Sequence, residues 1–163
     1  ITFENYVQSY FMQTVLVEAN KRLIKMTDSR YELKRKETEV KLNAKTGLDF
    51  SIFDSYTGKE RDVASLSGGE KFKASLALAL GLSDAISNNR GGIKIDSLFI
   101  DEGFGSLDSE SLNQALNILS DLSGNDKLVG VISHVSELMS RIDNKILVNK
   151  TNTGSIVNIE STN

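Results

Sequence analysis

Two short stretches of this chain carry the residue types that handle phosphate. The first, Leu66-Ser67-Gly68-Gly69-Glu70, opens a long Ala/Leu helix. Each glycine inside a helix costs roughly 0.8–1 kcal/mol relative to alanine. A chain carries that cost where its backbone must come close to something, and the bare N–H groups of a helix N-terminus form a ready anion site. The helix dipole there is worth about 0.3–2 kcal/mol toward a negative charge. Ser67 and Glu70 also have the spacing of a capping box. A capping box by itself needs no glycine at the first two helical positions, so the Gly68-Gly69 pair favours a polyphosphate contact.

The second stretch is acidic. Asp101 and Glu102 follow the hydrophobic run Ser97-Leu98-Phe99-Ile100, and ligands of open α/β sheets collect at the carboxyl ends of strands. Two consecutive carboxylates there can divide labour, Asp101 orienting Mg²⁺, directly or through water, and Glu102 polarising an attacking water. The strand and the glycine loop upstream favour this reading over a plain N-cap or loop acid. Gly105-Ser106-Leu107-Asp108 closes the loop that follows, where Asp108 serves equally well as a plain helix N-cap. His134 is the single histidine of the chain and follows the strand-like run Leu128–Ser133. It stands at the end of a strand neighbouring that of Asp101, aimed at the same crevice, a place that favours phosphate sensing over the structural role usual for a lone histidine.

The elements that must position these groups show in the periodicity. Apolar residues at Phe3, Tyr6, Val7, Tyr10, Phe11, Val15, Leu23 and Ile24 predict a helix over residues 2–26. It has no capping residue at its start, as though its beginning had been cut away, and the missing initial methionine points the same way. Its aromatic stripe is expected to pack on its own core, with docking of a partner as the weaker reading. In residues 30–63, Tyr31/Leu33, Val40/Leu42 and Leu48/Phe50/Ile52 alternate with polar neighbours, and Thr46-Gly47 and Thr57-Gly58 supply turns. Two or three antiparallel strands follow from this. Beyond residue 67 we expect helix 68–86, a loop around Asn88-Asn89-Arg90-Gly91-Gly92, a strand at 96–101 and a helix at 109–122. A strand at 127–132, a short helix at 135–140 and strands at 144–149 and 155–160 complete the chain. Strands alternating with helices imply an α/β fold whose parallel sheet is covered on both faces.

In this order and spacing, the motifs resemble those of the C-terminal half of an ABC-type ATPase. LSGGE resembles the signature motif, LFIDE the Walker B strand with its catalytic glutamate, GSLD the D-loop, and His134 the switch histidine. The flanking text, from Ala19-Asn20-Lys21-Arg22-Leu23 through Thr27-Asp28-Ser29-Arg30-Tyr31 and along Lys71–Leu80, narrows the resemblance. It is similar to the SbcC family, the coiled-coil ATPase subunits of bacterial SbcCD double-strand-break nucleases, over essentially the whole chain. The resemblance implies a helix leading out of a coiled coil at 1–28 and the C-terminal lobe of an ATPase head at 29–163. It also implies ATP and Mg²⁺, a second head in a homodimer, an SbcD-type metallophosphoesterase nuclease and double-stranded DNA as partners, and a cytoplasmic, nucleoid-associated location. Ser67, Gly68, Gly69 and Glu70 then contact nucleotide in trans, Glu102 and His134 are catalytic, Asp101 serves Mg²⁺, and Asp108 is the D-loop residue.

One motif is missing. Gly58-Lys59 has no glycine five residues before it and no Ser/Thr after it, so this sequence contains no P-loop. The family carries the P-loop on an N-terminal lobe, and this stretch alone is expected to be inactive. An ABC transporter domain fits less well, since it keeps its P-loop upstream in the same short domain. A clamp-type head of the SMC, RecN or RecF kind, without a nuclease, shares the motifs and is separated only by the flanking text.

Composition sets the outer limits. The 163 residues, 39% hydrophobic and 25% charged, are ordinary for a globular chain. The absence of cysteine excludes disulfides, thiol catalysis and the family's C-x-x-C zinc hook within this stretch. Neither a signal peptide nor an apolar run long enough to span a membrane occurs. Net charge is −3, yet residues 21–45 hold nine Lys/Arg against four Asp/Glu. That basic stretch marks Lys34, Arg35 and Lys36 as DNA-contact candidates, with a solvated charged face as the alternative.

Overall fold

A computed structural model describes residues 3–36, 49–88, 95–123 and 127–161. Its core is helical. Helix α1 (Phe3–Met26) lies along α2 (Gly68–Ser87), and α3 (Ser109–Ser123) closes against α1. The second half of α1 supplies the buried stripe Val15, Leu16, Ala19, Leu23 and Met26, at helical spacing. Its first half behaves differently from the expectation of a self-packed aromatic stripe. Phe3, Tyr6 and Tyr10 are exposed, because no described element lies beside the first turns.

The α1–α2 crossing is set by Gly81. A Cβ built there would stand 2.6 Å from Val15 O and 2.6 Å from the Ala19 backbone N. Both neighbours are backbone and cannot rotate away. Gly81→Ala gains about 1 kcal/mol of helix propensity but forces the helices apart, at the upper end of the roughly 1–3 kcal/mol seen for overpacking. We expect a lower melting temperature for the full-length protein, read by differential scanning calorimetry. An unchanged or raised melting temperature would show slack at the crossing.

After α1 the chain turns through Asp28 (φ +48°) and Ser29 (φ +63°), both left-handed. The corner is tied by Ser29 N–H to Ile24 O and Arg30 N–H to Thr27 O, a Schellman-like closure of the helix end. It delivers β1 (Tyr31–Arg35), β2 (Phe50–Asp54) and β3 (Lys59–Asp62), which pair antiparallel in the order β1-β2-β3. The Thr57-Gly58 turn is present, with Gly58 at φ +66°. The expected strand at Val40/Leu42, the Thr46-Gly47 turn and most of the Asn88–Gly92 loop lie outside the described residues.

Beyond α2 come β4 (Ser97–Asp101), α3, β5 (Leu128–Ile132) and the short α4 (Ser136–Met139), with β4 and β5 parallel and Asp101 opposite Ile132. Leu98, Ile100, Val129 and Val131 turn inward onto the helical core. The other face is not covered as the βαβ pattern implies: Phe99 is 67% exposed, and Leu128 and Ile132 are exposed with it. The described helices cover one face only. The strands expected at 144–149 and 155–160 are present as β6 (Asn144–Thr151) and β7 (Gly154–Ser161), which form an antiparallel hairpin. Its register puts Ile146, Val148, Val157 and Ile159 on one face, and all four are exposed.

Candidate functional site

Two clusters hold the expected functional residues. The first is a cleft of about 410 Å³ at the start of α2, lined by Ser67, Gly68, Gly69, Glu70, Lys73, Ser106 and Asp108 together with Asp28, Arg30, Tyr31 and Tyr56. Ser67 caps α2 in a full capping box: Glu70 N–H donates to Ser67 Oγ at 3.3 Å, and Ser67 N–H donates to Glu70 Oε2 at 2.9 Å. Glu70 Oε1 also accepts from the Tyr31 hydroxyl at 2.7 Å. Burial pushes the Glu70 carboxyl up, but the hydrogen bonds from Tyr31 and Ser67 and the charge of Arg30 hold it below its ordinary range.

The glycines have a reason inside the chain as well as the one their spacing suggests. A Cβ on Gly68 would sit 3.3 Å from Ser106 Cβ, and one on Gly69 would sit 3.0 Å from Ser106 O. The turn Phe104–Ser106 therefore lies directly on the first turn of α2. Asp108 is the N-cap of α3, its Oδ1 accepting from Ser111 N–H at 2.7 Å. That bond is the chief reason its carboxyl lies below the usual range. The N-cap role thus holds, and the same residue lines the cleft.

The second cluster is at the strand ends. Glu102 follows β4 with φ +60°, and its N–H donates to Ile132 O at 2.9 Å, extending the pairing of β4 and β5 by one residue. Left-handed backbone at a non-glycine residue is costly and gathers at functional positions. Here it brings the Glu102 carboxylate to His134, whose Nδ1 lies 3.0 Å from Oε2 and 3.2 Å from Oε1. His134 is framed by Val135 N–H donating to Ser133 Oγ at 3.1 Å, and its side chain is 81% exposed. Asp101 ends β4, exposed beside them.

The two clusters are joined mechanically. Gly103, at φ +96°, leaves no room for a side chain, since a Cβ would meet the Phe72 ring of α2 at 2.4 Å. Phe72 in turn packs edge-on against the buried Phe104, with ring centroids 4.7 Å apart. The loop that carries Glu102 is thus seated on the helix that Ser67 begins.

Among the described residues no group of three or more His, Cys, Asp or Glu side chains converges as a metal cage. A lone pair of strand-end carboxylates still suits Mg²⁺, which is held by one or two carboxylates with substrate phosphates and waters completing its shell. Lys34 and Lys36 stand apart, on the β1–β3 sheet, paired with Glu60 at 3.9 Å and Asp62 at 2.5 Å. Arg35 has no ion pair among the described residues. Sequence reading overlooks Arg30, Tyr56 and Lys73 as members of the cleft. Only Lys73 is accessible to it, three residues after Glu70 on one helix face.

Solved structures that resemble this chain are heads of SMC proteins. One, from work on ATP-driven dimerization and DNA-stimulated activation of SMC ATPases, matches with a TM-score of 0.72 at 15% identity, covering 96% of this chain and 89% of that one. The Smc head domain bound to the C-terminal domain of ScpA from Pyrococcus furiosus matches with a TM-score of 0.70 at 16% identity, over 92% of this chain and 35% of that one. The fold is therefore one shared with SMC heads.

Sequence comparison narrows the class. The family model described as SbcC/RAD50-like, Walker B motif, matches residues 40–121. The SbcC subunit of the SbcCD nuclease of Vibrio cholerae is 49% identical over 98% of this chain, and its counterpart in Treponema pallidum 48% over 96%. This chain belongs to the SbcC/RAD50-like family. It spans 16% and 15% of the length of those two relatives. No helix among the described residues is long and apolar enough to cross a membrane.

Proposed function

We propose that this chain is the C-terminal lobe of the ATPase head of a DNA double-strand-break nuclease complex, with residues 1–28 leading out of a coiled coil. The observation that carries the reading is the convergence of Glu102 and His134 over the ends of two adjacent parallel strands. Glu102 acts as general base on the water that attacks the γ-phosphate, and His134 fixes the carboxylate and senses that phosphate. Asp101 serves Mg²⁺, the ion that neutralises phosphate charge when bound.

A lobe without a P-loop needs another to bind nucleotide. The open faces of β4–β5 and of the β6–β7 hairpin support this, since contiguous exposed apolar surface marks an interaction site. An N-terminal lobe carrying the P-loop seats there and completes one head. Two heads then sandwich two ATP molecules. Ser67, Gly68 and Gly69 contact the γ-phosphate held by the opposite head, with Glu70 holding Ser67 in place, and Asp108 crosses the interface. ATP joins the heads and hydrolysis releases them, a two-state switch for an SbcD-type metallophosphoesterase. The chain alone has no activity in this scheme, and the assembly works in the cytoplasm at the nucleoid. ATP-induced dimerisation of the full-length protein, with and without Ser67→Arg, tests the scheme. The likeness to SMC heads favours one rival, a clamp without a nuclease, which failure to copurify with a metallophosphoesterase would support.

Double-stranded DNA is the proposed substrate, with Lys34, Arg35 and Lys36 as contacts. The ion pairs to Glu60 and Asp62 already neutralise the two lysines, so Arg35 carries the larger part. Replacing all three by alanine is expected to flatten the log–log salt dependence of DNA binding by about 0.9 for each phosphate no longer neutralised. The change should be visible in fluorescence anisotropy titrations. An unaltered slope would mean that the patch is merely solvated.

A further inference from the structure

Asp54 ends β2 as a carboxylate with 0% exposure, and nothing in the chemistry above uses it. A buried charge persists only where opposite charges and hydrogen bonds surround it. Arg30 donates to Asp54 from Nε at 3.4 Å and from Nη2 at 3.3 Å. Arg61 Nη2 lies 3.3 Å from Asp54 Oδ2, and Tyr56 N–H donates to Oδ1 at 3.0 Å. The two arginines come from separate elements, Arg30 from the corner after α1 and Arg61 from β3.

Both arginines also reach the start of α2. Arg61 Nη2 donates to the Tyr31 hydroxyl oxygen at 3.0 Å, and that hydroxyl donates to Glu70 Oε1 at 2.7 Å. Arg30 Nη1 stands 3.8 Å from the same oxygen, its guanidinium held against the rings of Tyr31 and Tyr56 at 4.7 and 4.9 Å. The other Glu70 oxygen holds Ser67 N–H. An unbroken run of contacts therefore links a buried carboxylate to the backbone of Ser67. Arg61 Nε is buried without a hydrogen-bond partner, so the Nη2 contacts and the Tyr31 ring, its centroid 5.5 Å from the guanidinium carbon, restrain that guanidinium.

The charge arithmetic explains the arrangement. Two guanidiniums face two carboxylates, and Asp54 takes the nearer share of both. Without its charge, Glu70 is, among the described residues, the carboxylate left within ion-pair distance of Arg30, and it is drawn away from Ser67. We propose that Asp54 is a positioning residue for the start of α2: it fixes Arg30 and Arg61, and through Tyr31 these lock Glu70 onto Ser67. The functional consequence rests on the reading of Ser67 as a contact to nucleotide in trans.

Asp54→Asn and Tyr31→Phe in the full-length protein test this. Tyr31→Phe removes only the hydroxyl relay and keeps the ring, so it serves where Asp54→Asn fails to fold. Amide hydrogen exchange over residues 66–72, read by mass spectrometry without nucleotide, should accelerate roughly ten-fold, as expected for loss of a hydrogen bond to a charged group. The ATP concentration for half-maximal head dimerisation should rise by a similar factor, while ADP affinity, which needs no opposite head, stays unchanged. Unchanged exchange in Tyr31→Phe overturns the proposal, as does a parallel loss of ADP affinity. Faster exchange, with dimerisation that even Ser67→Arg leaves intact, would uphold the positioning role and refute the trans contact instead.

Discussion

Glu102→Gln is expected to lower ATP turnover of the full-length protein by roughly 10²–10⁴, the usual scale for a general base, while nucleotide binding survives. The substitution is nearly isosteric, so the left-handed turn at Glu102 and its backbone bond to Ile132 O are kept. An amide oxygen still accepts from His134, and the geometry at 3.0 Å therefore persists. What disappears is an oxygen basic enough to take a proton from water. Because the loop rests on Phe72 and Phe104 rather than on the carboxylate, the folded head should be unaffected. Single-turnover hydrolysis with equilibrium ATP binding as the control separates chemistry from affinity. Undiminished turnover would remove Glu102 from the mechanism, and a parallel loss of binding would make it a structural residue instead.

Much of this arrangement is legible in the residues because it is local. The helix over 68–86 runs to Ser87, the strand at 96–101 begins at Ser97, and the capping box of Ser67 and Glu70 forms as its spacing requires. Short-range rules suffice there. Chain order alone also brings the loop of Glu102 and that of His134 together, since parallel neighbours end on the same side of a sheet. The uncovered faces are a different matter. Alternation of strands and helices says that a parallel sheet needs cover on both sides, but not which face the described helices leave open. The exposed Phe99 is the sign of that, and it shows only once β4 and β5 are paired. Gly68 and Gly69 behave in a related way: their scarcity of atoms reads as room for phosphate, and part of that room is taken by Ser106. Arg30, Arg61 and Asp54 lie on three segments whose meeting depends on the antiparallel register, which no local pattern encodes.

Ser67→Arg should abolish ATP-induced dimerisation, measured by gel filtration of the full-length protein with and without nucleotide. Ser67 supplies the cap of α2, so a side chain that cannot cap loses about 0.5–2 kcal/mol of stability; Ser67→Ala carries that loss without added bulk and is the matching control. A guanidinium attracts phosphate, and charge alone would strengthen the contact. The expected loss is therefore steric. The first turn of α2 cannot retreat, because Gly68 and Gly69 already touch the Phe104–Ser106 turn behind them. A long side chain at residue 67 then fills the cleft lined by Arg30, Lys73 and Asp108, which the opposing nucleotide enters in the proposed scheme. Nucleotide bound by the same head lies beyond that obstruction and should bind as before. Dimerisation that survives Ser67→Arg would mean that the cleft does not meet a neighbour's ATP. Dimerisation lost equally in Ser67→Ala would trace the effect to the missing hydroxyl, as cap or as phosphate contact, rather than to the bulk of arginine.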